Sequence, residues 1–485
     1  MIGCHDLGVE PVGQRPSYDE LGELVALQAK TIERLTARVE DLEAEAGELR
    51  RRLGLNSTNS SRPPSSDGLS KPKRRSGKDS GRRPGKQPGS SGSTLELVAD
   101  PQHTVVHRPD RCANPLCGSD LAHAPEYARQ RRQVFEVPKP TMVVTEHQLV
   151  AVACGCGRVT LADVPDGVSG RVQYGPTVKA AAVYARGAHF LPFGRAARLL
   201  SDLCGASVST GFVHTVFADA ATRLGPFLAR LRELLRAVPV LHADETPARV
   251  DGGFKYVHVA CTDAYTLFHV GGRSAADVDA GGVLPGFTGT IVRDGYAAYR
   301  HLTDAEHAWC GAHLLRDLKG VHETDPGGQS WAEAMANTLL IAKKATETAL
   351  AEGHDALPDQ DVRFISSAYA GAIAHGRAEN PPDRTGDPSK AGKLVERFAT
   401  HRDMILRFVV DLAVPFTNNS AERALRPVKL QQKTSGTWRI LQGLANFAAV
   451  RSYLDTAHKH GKDALDVLRQ LFTTGPWLPT IAQSG

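Results

Sequence analysis

The sequence predicts a multidomain chain: an N-terminal α-helical coiled coil, a small Cys-rich β domain, a helical region, and an α/β core interrupted by an α-helical insertion. Three observations predict it. A 3.5-residue apolar repeat runs through residues 18–53, two close cysteine pairs frame alternating segments within 99–172, and two apolar runs after residue 236 each reach an aspartate. At 485 residues the chain is long enough for several cores. Its 41% hydrophobic and 23% charged residues are ordinary for a soluble globular protein, which excludes a wholly disordered chain. No apolar stretch approaches the ~18 residues of a membrane span. The first residues show no basic region followed by an apolar one, so the sequence predicts a cytosolic, reducing home. There the eight cysteines suit metal ligation or a core better than disulfides.

Residues 1–17 carry no periodicity and are expected to be disordered. From 18 to 55, Leu21, Val25, Gln28, Ile32, Leu35, Val39, Leu42, Ala46, Leu49 and Leu53 follow one another at alternating steps of four and three. Val25, Ile32 and Val39 occupy the a positions and Leu35, Leu42 and Leu49 the d positions, the arrangement of a parallel two-stranded coiled coil. The alternative is an amphipathic helix packed on its own domain. Residues 56–98 are Ser, Pro, Gly and basic residues with little to bury, which predicts a disordered linker. Between Arg62 and Lys86, nine Lys/Arg stand against two Asp. Arg74, Arg75, Arg82 and Arg83 in this run read either as a solvated tail or as an arm that neutralises phosphates.

Within 99–172, EYARQRRQVFEV and TMVVTEHQLVAVAC contain period-2 stretches that predict β-strands. Cys112 and Cys117, then Cys154 and Cys156, supply four thiolates in two pairs, which matches a tetrahedral structural Zn2+ site. Buried thiols are the plain alternative. Residues 173–236 read as helical. A helix ends near Cys204-Gly205 and another starts after Ser209 or Thr210, which fits either a helix-turn-helix with Arg195 and Arg198 on phosphates or simple helix packing.

From 237 to 330 the period changes to strands. VPVLHADETPARV reads as an apolar strand ending on Asp244, and FKYVHVACTD and YTLFHVG as an antiparallel pair joined through Thr262-Asp263-Ala264. A Gly-rich helical link leads to TGTIVRDGYAAYRHL, a strand ending on Asp294. Glu245 is expected on the opposite strand face from Asp244, and Asp251 opens a turn. In an α/β sheet the carboxyl ends of strands line the ligand crevice. Residues 331–413 predict a helical insertion of three helices broken by ENPPDRTGDP. In 414–485, Asn419 or Ser420 is expected to cap a helix carrying Glu422 in its first turn. Arg423, Arg426, Lys429 and Lys433 follow at helical spacing, either as a phosphate-binding face or as an ordinary solvated one. Carboxylates that converge repel each other unless divalent cations sit among them, and hard Mg2+ prefers such oxygens.

HADETPARV, VRDGYAAY, CGAHLLRDL and NNSAERALRPVK occur in this order. Together with the heptads, the NSTNSSRPPSSD stretch leading to GKQPG, and the cysteine-bearing segment, they make the chain resemble transposases of the insertion-sequence-66 family over nearly its whole length. The resemblance implies an RNase H-like catalytic domain whose acidic triad falls on Asp244, Asp294 and Glu422, holding Mg2+ or Mn2+. It implies a homodimer or higher oligomer that binds the terminal inverted repeats of its element, cuts there, and joins the freed 3′-hydroxyls to target DNA. Elements of this family often encode small accessory proteins, and the sequence leaves open whether this chain needs them as partners; the resemblance implies a place in the bacterial cytoplasm at the nucleoid rather than a membrane. HAWCGAHLLRDL resembles the C-x-x-H segment of this group. On that likeness His313, with Arg316 near it, orients DNA or a carboxylate, or else is a hydrogen-bonded histidine under the sheet, and Cys310 belongs to the core. The cysteine spacings depart from the C-x2-C pairs of many relatives. A nuclease that cuts without joining, and a non-catalytic DNA-binding regulator of the element, are the competing functions.

Overall fold

The computed structural model describes residues 22, 25–36, 38–39, 95–137, 140–382 and 386–481. The basic run with Arg74, Arg75, Arg82 and Arg83, most of the linker, and the second half of the heptad repeat lie outside the described residues. Residues 25–36 and 38–39 are helical, and the heptad residues Val25, Ile32, Leu35 and Val39 all stand exposed.

The β domain anticipated in 99–172 is smaller than its pattern suggested. Among the described residues it holds one antiparallel hairpin, β1 (Ala151–Ala153) and β2 (Val159–Leu161). The stretch 126–137 forms no strand, and Tyr127, Val134 and Phe135 remain exposed. Alternation marks a strand only where a second layer covers the apolar face, and among the described residues Tyr127, Val134 and Phe135 have no such cover.

Four helices follow: α1 (Pro176–Gly187), α2 (Phe193–Cys204), α3 (Thr210–Arg223) and α4 (Gly225–Arg236). Proline in its first turn starts α1. Gly205, at φ 67°, ends α2 in the left-handed conformation that glycine adopts without strain. The Ser209 hydroxyl accepts from the Phe212 amide and caps α3, where the sequence placed the boundary. Arg195 and Arg198 are exposed on α2.

The central sheet contains β3 (Val240–Val250), β4 (Gly253–Cys261), β5 (Thr266–Gly271), β6 (Thr290–Arg293) and β7 (Glu306–Trp309), in the order β5-β4-β3-β6-β7. The first three strands are antiparallel, and β3, β6 and β7 run parallel. Asp251 (φ 48°) and Gly252 (φ 74°) supply the paired positive φ of a two-residue hairpin between β3 and β4. A short α5 (Ala275–Asp279), closed by a capping box on Ser274, lies in the connection to β6. The expectation that β3 ends on Asp244 is corrected: β3 runs six residues further, paired with β4 to Val250. What ends near Asp244 is the pairing with β6, which stops at His242↔Val292.

After β7 come α6 (Gly311–Thr324), α7 (Ser330–Ala351), α8 (Asp359–Glu379) and α9 (Lys390–Thr400), then the one-turn helices α10 (Arg402–Ile405) and α11 (Arg407–Val410). The chain returns through α12 (Asn419–Ser435), α13 (Leu441–Lys459) and α14 (Ala464–Leu471). Two buried clusters flank the sheet. Leu241, Ala243 and Ile291 join one with α1, α3, α4 and α13, through Val183, Phe217, Phe227, Leu231 and Phe447. Val292 and Ala308 join the other with the insertion helices, through Leu318, Trp331, Met335, Tyr369 and Phe398. Among the described residues no helix is long and apolar enough to cross a membrane.

Candidate active site

Parallel register brings two carboxylates to one level. The parallel pairs Val240↔Thr290, Leu241↔Ile291 and His242↔Val292 each differ by fifty, as do Asp244 and Asp294. Two residues beyond the last pair the strands have parted, which leaves a crevice with an aspartate on each lip. The Asp244 carboxylate accepts from the Glu245 amide at 2.8 Å, and that of Asp294 from the Tyr296 amide at 2.9 Å. Burial pushes Asp244 up to about 8, helped by the nearby charges of Glu245 and Asp294; the Glu245 amide and His313 oppose the shift.

Glu422 comes from the first turn of α12. That helix is capped one residue earlier than expected: Asn418 holds the N-cap, with no side-chain cap bond. The Asn418 side chain points into the sheet instead, where its Nδ2 donates to Ala243 O at 2.8 Å and its Oδ1 lies 2.9 Å from His242 Nδ1. The Asn418 amide donates to Cys310 Sγ at 3.2 Å. The Glu422 Oε1 atom lies 3.6 Å from His313 Nδ1, beyond normal hydrogen-bond length, and both atoms are buried without a hydrogen-bond partner. His313 is raised to about 9, first by the Cys310 side chain and also by the Glu422 charge, against burial and the charge of Arg316. One donor atom from each of Cys310, His313 and Glu422 falls within 4.8 Å of the others.

Among the described residues the structure groups Glu422 with Cys310 and His313, and Asp244 with Asp294, while neither aspartate joins the Cys310–His313–Glu422 cluster. Asp244 feels both Asp294 and His313, while His313 feels Glu422 and Arg316. One Glu422 carboxylate oxygen is buried without a hydrogen-bond partner, and burial pushes Asp244 toward its neutral form, so both acids carry charge that a nearby divalent cation would offset. Glu245 is a different kind of acid. Its side chain is only 2% exposed, and it accepts from Arg273 at 3.0 Å and from the Tyr299 hydroxyl at 3.0 Å. The Arg273 guanidinium in turn lies over the Tyr296 ring at 3.9 Å, two residues beyond Asp294.

Other expected site residues are scattered. Arg423, Arg426 and Lys433 are exposed on α12, but Lys429 is half-buried and donates to Pro247 O at 3.2 Å, with burial lowering its pKa. That removes Lys429 from the free cationic face. Each cysteine pair sits on its own turn. Cys112 donates its amide to Ser119 O and Cys117 its amide to Asn114 O, both at 2.9 Å, while Cys154 closes the β1–β2 turn on Arg158 O at 2.8 Å. No three of these four thiols lie within 4.8 Å of one another. Sequence reasoning missed Asn418, His242 and the strand β7. The doubled Asn before Glu422 was the available signal for the first.

Comparison with known proteins gives the following. Residues 171–446 match the family model described as Transposase IS66 family, and residues 12–96 match a family of unknown function. An uncharacterized protein y4qI of Sinorhizobium fredii (strain NBRC 101917 / NGR234) is 28% identical over 200 residues, covering 39% of this chain and 36% of that protein's length. A second uncharacterized protein of the same organism, y4jD, is 22% identical over 388 residues, covering 75% of this chain and 74% of its own.

Proposed function

The chain belongs to the IS66 family of transposases, and on that premise we propose that it is a DDE transposase that binds the terminal inverted repeats of an insertion sequence, cuts at its ends, and transfers the strands into target DNA. The observation that carries this reading is the level placement of Asp244 and Asp294 on parting parallel strands, with Glu422 delivered beside His313 from the first turn of α12. The sheet order β5-β4-β3-β6-β7, with three antiparallel strands and then two parallel ones, supports an RNase H-like core.

Asp244, Asp294 and Glu422 would hold Mg2+ or Mn2+. Such ions, when bound, activate the attacking oxygen and stabilise the leaving oxygen of an in-line phosphodiester displacement. The protein's own groups do the rest. His313, whose pKa the Cys310 side chain and then the Glu422 charge raise, faces Glu422 across 3.6 Å and would orient that carboxylate. Buried Glu245, tied to Arg273 and Tyr299, fixes the β3 backbone next to Asp244 and braces the Tyr296 loop behind Asp294. Arg423, Arg426 and Lys433 offer exposed charges to a DNA backbone on the helix that carries Glu422. In this proposal a zinc-holding module would draw on Cys112, Cys117, Cys154 and Cys156, carried as pairs on two turns. The exposed Val25, Ile32, Leu35 and Val39 seam supports dimerisation.

The test is cleavage of a duplex carrying the DNA ends that flank this gene, with Mg2+ or Mn2+. Nicking at the ends is expected for wild type and absent for Asp244→Asn, Asp294→Asn and Glu422→Gln, each of which retains duplex binding in a gel-shift assay. A mutant that cuts at the wild-type rate would remove that residue from the site. Cleavage without joining of labelled ends to a second duplex would make the protein a nuclease, and binding without cleavage a regulator or an enzyme short of an accessory protein.

A further inference from the structure

We infer that Asn418 is a positioning residue that locks the three carboxylate-bearing elements together; the inference rests on the reading of Asp244, Asp294 and Glu422 as one cation-binding set. At a helix N-cap, asparagine ordinarily turns its side-chain oxygen back to the amides of its own first turn. Asn418 does not. Its Nδ2 donates to Ala243 O, the carbonyl directly before Asp244, so its Oδ1 is left to accept from His242 Nδ1. That fixes a proton of His242 on Nδ1. The backbone of Asn418 completes the lock. Its carbonyl accepts from the Glu422 amide at 3.2 Å, and its amide donates to Cys310 Sγ, while the Cys310 amide donates at 2.8 Å to Arg293 O, directly before Asp294.

One residue, 1% exposed, is therefore bonded to the neighbour of Asp244 and to Glu422 itself, and through Cys310 to the neighbour of Asp294. The body of α12 has separate anchors in Ala421, Ala424, Leu425 and Val428. Removing the carboxamide leaves Ala243 O and His242 Nδ1 unpaired and frees the first turn of α12 to slide along β3, while the rest of the helix stays docked.

The experiment reads Mn2+ binding directly, by electron paramagnetic resonance of free Mn2+ with the full-length protein and no DNA. Wild type, Asp244→Asn, Asn418→Ala, Asn418→Ser and Val467→Ala are compared, the last a buried α14 residue far from the site in sequence that serves as a stability-matched control. Asn418→Ala is expected to weaken the Mn2+ binding that Asp244→Asn abolishes by about 10- to 100-fold. It should raise the Mn2+ needed for end cleavage by a similar factor, with the rate recovering at saturating Mn2+. Val467→Ala should change neither. Asn418→Ser, which restores a capping hydroxyl without the reach to Ala243, provides a folded variant if the alanine form does not fold, and is expected to show the same loss. Wild-type Mn2+ affinity in the folded Asn418 variants, with Asp244→Asn still deficient, overturns the positioning role alone. Unchanged Mn2+ binding in Asp244→Asn overturns the cation-site reading beneath it.

Discussion

Gly311 opens α6 against the loop that leads to α12. Its amide donates to Phe416 O at 2.8 Å, and a Cβ there would sit 2.1 Å from the Phe416 ring. No side chain fits such an approach. Gly311→Ala is expected to cost about 1–3 kcal/mol in denaturant melts, with part of the loss restored by Phe416→Leu. The buried histidines act on stability in a different way. Burial, aided by His258, lowers His269 to about 4, and burial with Arg293 lowers His307 to about 4. Both folded values lie below the ordinary ~6.5, so the unfolded chain takes up these protons first as pH falls. Their contribution is complete above roughly pH 6.5 and is lost progressively toward pH 4. Asp244 and His313, raised to about 8 and about 9, stabilise in the opposite sense as pH falls, so the test is the difference between variants: the midpoint of His269→Gln should gain on that of wild type as pH falls from about 6.5 to about 4, and a difference that does not change with pH would exclude His269 as a source. None of these residue roles was legible beforehand. A close approach to Phe416 or a stacked His258–His269 pair depends on partners far along the chain, whereas Asp244, Asp294 and Glu422 were legible because they sit in motifs of the resembling family.

At the scale of elements, boundaries set by local chemistry came through and those set by neighbours did not. The α2–α3 turn was readable because Gly205 and Ser209 each carry their instruction in one residue. The β3–β4 turn was readable for the same reason, in Asp251-Gly252. The true length of β3 was not, since Asp244 interrupts the apolar run while β4 goes on pairing to Val250. The strand β7 is four residues long, mostly buried and without alternation, and so carried no strand signal in the sequence. Alternation in 126–153 misled in the opposite sense, because a strand pattern with no covering layer yields only the short β1. The three long insertion helices were anticipated, while the one-turn α10 and α11 were not.

Over the whole molecule, the sheet and its two flanking clusters hold the site, and the N-terminal helix stands as a candidate for assembly. Four of its heptad residues are more than half exposed: Val25 at 63%, Ile32 at 64%, Leu35 at 55% and Val39 at 53%. Deleting residues 18–53 is expected to reduce the particle mass seen by light scattering to that of one chain. An unchanged mass would move the association to another surface. The parting of β3 from β6 has a consequence for how relatives of this chain can differ in length. Asp244 and Asp294 meet because a fixed register joins 240–242 to 290–292, and Glu422 arrives with a docked helix. Insertions in the 251–252 hairpin tip, in the 272–289 link, or in the loops of the helical insertion leave those junctions alone, and longer loops add little closure entropy. A single residue gained or lost within 241–244 or 291–294 would turn a carboxylate through to the far side of the sheet. Length variation among functional relatives should therefore crowd into the hairpin tip, the α5 link and the helical insertion, and spare two four-residue windows entirely.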